Sequence, residues 1–210
     1  MIYNLIDINE ALCEAWDKVF AGVKGVQVTH DSIFNHPCDA LVSPANSFGY
    51  MNGGIDFAIS KNLGWHIEKD LQKIIREKYY GELLIGQAII LPTHHSDFPY
   101  LISAPTMRTP MSIVKTPHVY LAMKAILVLT ELGQLADGSP VKSKVQSVAI
   151  PGLGTGIGQV RPIDCARQMR IAWEDVQNRK FETKEGWKEM GSNFAYFFTG
   201  RKQDLKYDIP

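Results

Sequence analysis

Apolar positions along the chain fall into two rhythms. Short apolar runs, "DALVSPA" and "VQSVAIP" among them, have the length of strands. The stretch "WHIEKDLQKIIREKYY" instead places Ile67, Leu71, Ile74 and Ile75 on one helical face, with charges opposite. Upstream, "IYNLIDI" reads as a strand, followed by a helix over "EALCEAWDKVFAG" with Asn9 as its cap and Gly22 as its stop. "GVQVTHDSI" alternates as a strand and ends on Asp31; "DALVSPA" is closed by Pro44; a short helix spans Gly54 to Gly64. Two further strands, "GQAIILP" and "YLISAP", flank the polar turn "THHSDFP". "TPHVYLAMKAILVLTELG" is an apolar helix with Thr116 as cap, Pro117 at its first position and Gly133 as stop. "LADGSPVKSK" reads as a surface loop, "VQSVAIP" as a buried strand, and a last helix opens near Pro162 after the Gly-rich "GLGTGIG". In the tail after Phe181, "NFAYFF" has the character of one more strand.

Strands alternating with helices predict an α/β fold: a three-layer α/β/α sandwich around a central mixed, mostly parallel sheet. Strands as apolar as "DALVSP" and "SVAIP" suit a sheet covered on both faces. No internal repeat, low-complexity block or linker divides the chain, so residues 1–210 are expected to form one domain with its motif-bearing core at about 26–180. Ligands of such sheets bind beyond the carboxyl ends of the strands. The two unusual turns, after Val42–Ser43 and after Ile150, follow strands of that kind and are expected to face one another across a single cleft.

Composition narrows the function class. The 22 basic and 22 acidic residues cancel and no Lys/Arg run stands out, which argues against nucleic acid or a membrane surface as partner. Cys13, Cys38 and Cys165 are widely spaced and form no C-x-x-C pair. That disfavours a disulfide framework or a cysteine zinc site and fits a reducing, cytoplasmic setting. The N-terminal "MIYNLIDINEAL" carries acids where a signal peptide needs an apolar run, and no segment has transmembrane length.

The candidate chemistry lies in the two turns. "GLGTGIG", Gly152 to Gly158, has four glycines in seven residues, a density suited to backbone amides lining a concavity for phosphate. It lacks the Lys and Ser/Thr of a P-loop and the register of a Rossmann fingerprint; the plain alternative is a flexible connection. In "VSPANSFGYMNGGIDFAI", Gly53 and Gly54 precede a helix carrying Asp56 in its first turn. Free amides there hold phosphate or ribose oxygens. Singly, Asp56 also fits an acid complementing the helix dipole, and Asn46 a residue satisfying its own turn. Their coincidence within one turn, opposite a second Gly-rich turn, points to a site.

"DALVSPANSFGYMNGGIDFAI" resembles the first ligand loop of macrodomains, which commonly read "DAIVNAAN", a Gly-rich stretch, then "GVDGAI". "SVAIPGLGTGIG" resembles their second loop, "VTHDSI" stands where the family usually has "GDI", and "YLISAPTM" stands where a family strand precedes the long helix. The likeness runs in order from about Val26 to Val176. It implies that Asp31, with Ser32 beside it, receives the adenine amino group. Asn46, next to Ala45, would bind hydroxyls of the distal ribose, and Gly53, Gly54 and Ile55 would offer amides near the phosphate and that ribose. Gly154, Thr155, Gly156, Ile157 and Gly158 would wrap the diphosphate. Asp56 matches the acid implicated in hydrolytic members. No Lys follows the first-loop glycines and no Cys/His cluster is present, so the lysine-dependent and zinc-dependent subgroups match poorly, and neither metal nor cofactor is implied.

The function implied is binding of ADP-ribose, with hydrolysis of a derivative: the 1″-phosphate, an O-acetyl ester or an ADP-ribosylated protein. A non-catalytic ADP-ribose reader is the alternative. A carboxylate at a helix N-terminus tends to a low pKa, so Asp56 is expected to position water and stabilise positive charge rather than act as a strong base. Asp56 and Asn46 are the catalytic candidates. "TMRTP", Thr106 to Pro110, follows a strand end within reach of the cleft, and its Arg108 either reaches the phosphates or is a solvated loop residue; the pair His94 and His95 reads as a surface turn; Trp16, Trp65 and Trp173 read as packing; Cys165 shows no activating neighbour.

Overall fold

The computed structural model describes residues 1–183 together with residue 189. Six strands form one sheet: β1 (Ile2–Asp7), β2 (Val26–His30), β3 (Ala40–Ser43), β4 (Ile89–Pro92), β5 (Tyr100–Ser103) and β6 (Ser147–Ile150), in the order β2-β1-β6-β3-β5-β4. All neighbours pair parallel except the edge strand β4, which runs antiparallel to β5 across the "THHSDFP" turn that joins them. The helices are α1 (Glu10–Val19), α2 (Gly54–Leu63), α3 (His66–Lys78), α4 (His118–Leu132) and α5 (Pro162–Gln177).

Period-2 alternation decides which layer each strand residue joins. On β3, Val42 points with Ile102, Val148 and Ile150 into the core shared with α1, α4 and α5; Leu41 points with Leu101 and Ala149 into the core under α2 and α3. All four β3 residues are buried, as a strand covered on both faces requires. Ile67, Leu71 and Ile75 of α3 are buried and Ile74 packs at their margin. Trp16 and Trp173 lie in the larger core, whereas Trp65 is half exposed and meets Phe57 edge-on.

Several element ends differ from the sequence reading. Asn9 caps α1, its side chain accepting from the Leu12 amide, but the helix stops at Val19, before the turn in which Gly22 takes φ +72°. α4 begins at His118 rather than Pro117; Thr116 Oγ1 accepts from the His118 amide at 3.4 Å while its hydroxyl donates to the Ile113 carbonyl. The loop "LADGSPVKSK" contains a 3-10 turn, Val141–Ser143, whose first residue is fully buried. The expected strand over "NFAYFF" lies outside the described residues. No helix among the described residues is long and apolar enough to cross a membrane.

Candidate functional site

β3 and β6 are adjacent and parallel, so Ser43 and Ile150 end on the same edge of the sheet and the turns that follow them meet. Between them lies a cleft of about 130 Å³ lined from the first turn by Ala45, Asn46, Tyr50 and Asn52 to Asp56, and from the second by Gly152, Gly154 and Gly156 to Gly158. A third wall comes from Thr106, Met107 and Pro110 after β5, in the stretch "TMRTP" that the sequence reading placed within reach of the cleft. It extends the sheet register past the strands: the Thr106 amide donates to the Ala45 carbonyl at 3.0 Å, the Ser47 amide to the Met107 carbonyl at 3.1 Å, and Thr106 Oγ1 to the Pro44 carbonyl at 3.1 Å.

The glycines divide by what a side chain would meet. A Cβ on Gly158 would lie 2.5 Å from the Gly154 carbonyl oxygen, and one on Gly154, itself at φ +70°, would lie 2.6 Å from Ile113. Both serve the loop's own tight path. Gly53, Gly54 and Gly156 would direct a Cβ into open space, so there the backbone borders the cleft with nothing interposed. The second loop is anchored at its start by Asp7, a residue the sequence reading did not single out. Asp7 Oδ2 accepts from the Gly152 amide and Oδ1 from the Asn9 amide, both at 2.9 Å.

Asp56 sits in the first turn of α2, 8% exposed, at the floor of the cleft. Ser43 Oγ, fully buried at the end of β3, donates to Asp56 Oδ1 at 2.6 Å. Burial pushes the carboxyl up from 3.8 to about 6, and the Ser43 hydrogen bond only partly offsets it. The expected low pKa is therefore corrected: desolvation outweighs the helix terminus and holds the Asp56 carboxyl at about 6. Ser103, in register with Ser43 on β5, is buried beside it, and its hydroxyl has no partner among the described residues.

Asn46 spends its side chain on its own turn. Oδ1 accepts from the Phe48 and Tyr50 amides, and Nδ2 donates to the Tyr50 carbonyl at 2.7 Å, leaving one amide hydrogen for a ligand. Asp31 and Ser32 stand at the end of β2, two strands from β6, and do not line the cleft; Thr155 does not line it either. The Asp31 carboxylate accepts from the Ser32 amide, from His36 and from Asn35, which hold its pKa below the usual range. Arg108 turns away from the cleft: it pairs bidentately with Glu82 and lies over the Phe48 ring at 5.1 Å. His94 and His95 lie on their turn, His94 6.2 Å from the ring of His66, and no cluster among the described residues could hold a metal ion. Cys165 is buried, which pushes its thiol up to about 12.

Comparison with known proteins follows the same lines. The model of the family described as "Macro domain" matches residues 42–169. An uncharacterized protein of Aquifex aeolicus (strain VF5) is 35% identical over 159 residues, 76% of this chain and 84% of its own length. Among solved structures, the macrodomain of Mycobacterium tuberculosis DarG superimposes with a TM-score of 0.56 at 20% identity, covering 70% of this chain and 88% of its own. Thermosipho africanus DarTG, in complex with ADP-ribose, gives a TM-score of 0.53 at 16% identity over 71% of this chain and 37% of its own. At such identities the structural likeness is one of fold.

Proposed function

The chain belongs to the macrodomain family, and from that premise we propose that it binds ADP-ribose in the cleft between its two loops and hydrolyses a derivative of it. The open glycines Gly53, Gly54 and Gly156 suit a diphosphate, and the Thermosipho neighbour of the same fold carries ADP-ribose. Asp31, with one lone-pair site left after its three donors, takes the adenine amino group.

The observation that carries hydrolysis is Asp56: a cleft-floor carboxylate raised to about 6 by burial and held in place by Ser43. A base with that pKa is ionised at neutral pH yet strong enough to take a proton from an attacking water. Asn46 contributes by fixing the loop around the ribose and by its one remaining amide hydrogen. The substrate is the 1″-phosphate, an O-acetyl ester or an ADP-ribosylated protein, all of which share the adenosine diphosphate handle that positions the reacting atom. Three free, buried cysteines support a reducing, cytoplasmic setting.

The reader that binds without turnover is favoured by one feature, the shallow exposure of Asp56, which leaves little of the carboxylate for a water. Incubating the protein with each of the three substrates and following product separates the two. Release of ADP-ribose from any of them, lost in Asp56→Ala, is the expected result. Tight ADP-ribose binding with no turnover of all three would establish the reader.

A further inference from the structure

Ser103 closes β5 fully buried, and its hydroxyl has no hydrogen-bond partner among the described residues. A buried hydroxyl left unpaired lowers stability, so its surroundings show what it is for. Strand alternation sends Ser103, like Leu101, to the face under α2 and α3. Along that face of its own strand it stands between Leu101 and Pro105, both buried. Across the sheet, its neighbour on β4 is Ile89, which is apolar and buried. Its neighbour on β3 is Ser43, in register and on the same face, holding Asp56. Adjacent strands lie about 4.7–4.9 Å apart, so the polar side of Ser103 is the Ser43–Asp56 pair. Ser60, one turn beyond Asp56 on α2, is also buried, but its hydroxyl goes to the Met51 carbonyl at 3.5 Å.

Asp56 lacks what Ser103 has to give. Its Oδ1 accepts from Ser43, and its Oδ2 has no donor among the described residues. As a carboxylate the group only accepts, and buried charge persists where several donors meet it. We infer that Ser103 is a positioning residue for Asp56: its hydroxyl turns to the ionised carboxylate, directly or through one water shared with Ser43, as the donor at Oδ2. Rotation about χ1 moves a serine oxygen among three staggered positions, so the turn needs no backbone movement. Few other groups act on this titration. The cleft lining carries one further ionisable side chain, Tyr50. On α3, which packs on α2, the Glu68 carboxylate accepts from the Met51 amide and His66 meets the Thr93 carbonyl. Burial and Ser43 are what displace Asp56. Any effect of Ser103 on turnover rests on the hydrolytic reading of the cleft; the hydrogen bond itself does not.

Carboxyl-carbon NMR of the whole chain, titrated from pH 4 to 8.5, tests this, with Asp56→Asn assigning the signal. Ser103→Ala is expected to raise the Asp56 midpoint by about one pH unit. Ser103→Cys, which keeps the volume but offers a weak donor, moves the midpoint the same way. Urea unfolding gives a second readout. Near pH 4.5, where Asp56 is protonated, Ser103→Ala unfolds at the parent's urea midpoint or above it, because a buried unpaired hydroxyl has gone. Above pH 7 that advantage disappears, because the carboxylate has lost its donor. An unchanged Asp56 midpoint, with a stability difference equal at every pH, makes Ser103 a bystander and overturns the inference. If the parent hydrolyses a derivative, the acid limb of kcat moves in Ser103→Ala by as much as the NMR midpoint. A displaced midpoint in a chain whose parent turns over none of the three substrates overturns hydrolysis and leaves the Ser103 contact standing.

Discussion

At Asp56 two local forces oppose one another, and their balance is measurable. The helix terminus favours the carboxylate, and burial favours the acid; burial prevails, raising the pKa from 3.8 to about 6. The native state therefore holds a proton that the unfolded chain releases between about pH 4 and 6. Stability falls as pH rises through that window and stays lowered above it. Fully developed, the penalty is on the order of 3 kcal/mol. Asp56→Asn keeps an acceptor for Ser43 and removes the buried charge. It is expected to raise stability near neutral pH by up to about that amount, an advantage that shrinks toward pH 4, while turnover drops about 10²–10⁴-fold. Urea denaturation at a series of pH values checks the first half; a gain independent of pH would contradict it. The glycines of the second loop make a contrasting pair. Gly156→Glu puts a charge into open space, so the fold should survive and ADP-ribose binding should be lost by calorimetry. Gly158→Ala drives a methyl against the Gly154 carbonyl and should instead cost roughly 1–3 kcal/mol of stability.

Among the elements, β1 governs the second loop although it is far from it in sequence. Asp7, the last residue of β1, bridges the Gly152 amide to the Asn9 amide at the start of α1, and its own carbonyl accepts from the Asp31 amide. One residue thus ties together the second Gly-rich loop, a helix entry and the end of β2. Asp7→Ala leaves the Gly152 amide unpaired, which should lower stability by about 1–3 kcal/mol. Hydrogen exchange at residues 152–160 should quicken more than in α3, and ADP-ribose affinity should fall. Uniform exchange in both regions would remove Asp7 from this role. The sequence displayed Asp7 plainly, yet a lone acid ending a strand has no periodic or spacing signal. Only its meeting with Gly152, 145 positions away, gives it a task.

For the whole molecule, strand order creates the cleft. Because β6 inserts between β1 and β3, two glycine-bearing turns about a hundred residues apart in sequence become neighbours on one sheet edge. One such cleft predicts one ADP-ribose per chain, with much less heat from adenosine, which lacks the diphosphate; equal affinity for the two would remove the diphosphate cradle. The sequence by itself determined the alternation of strands and helices, the buried character of β3 and β6 and the two Gly-rich turns. Those features are local, written in hydrophobic period and in residues with special backbone freedom. Tertiary structure alone decided the rest. It sent Arg108 away from the cleft to Glu82, gave Asp7 its hold on Gly152, and reversed the expected pKa of Asp56. A charge's environment and a side chain's partners depend on what is brought near from distant parts of the chain. Burial, which overrode the helix terminus at Asp56, exists only once the layers close.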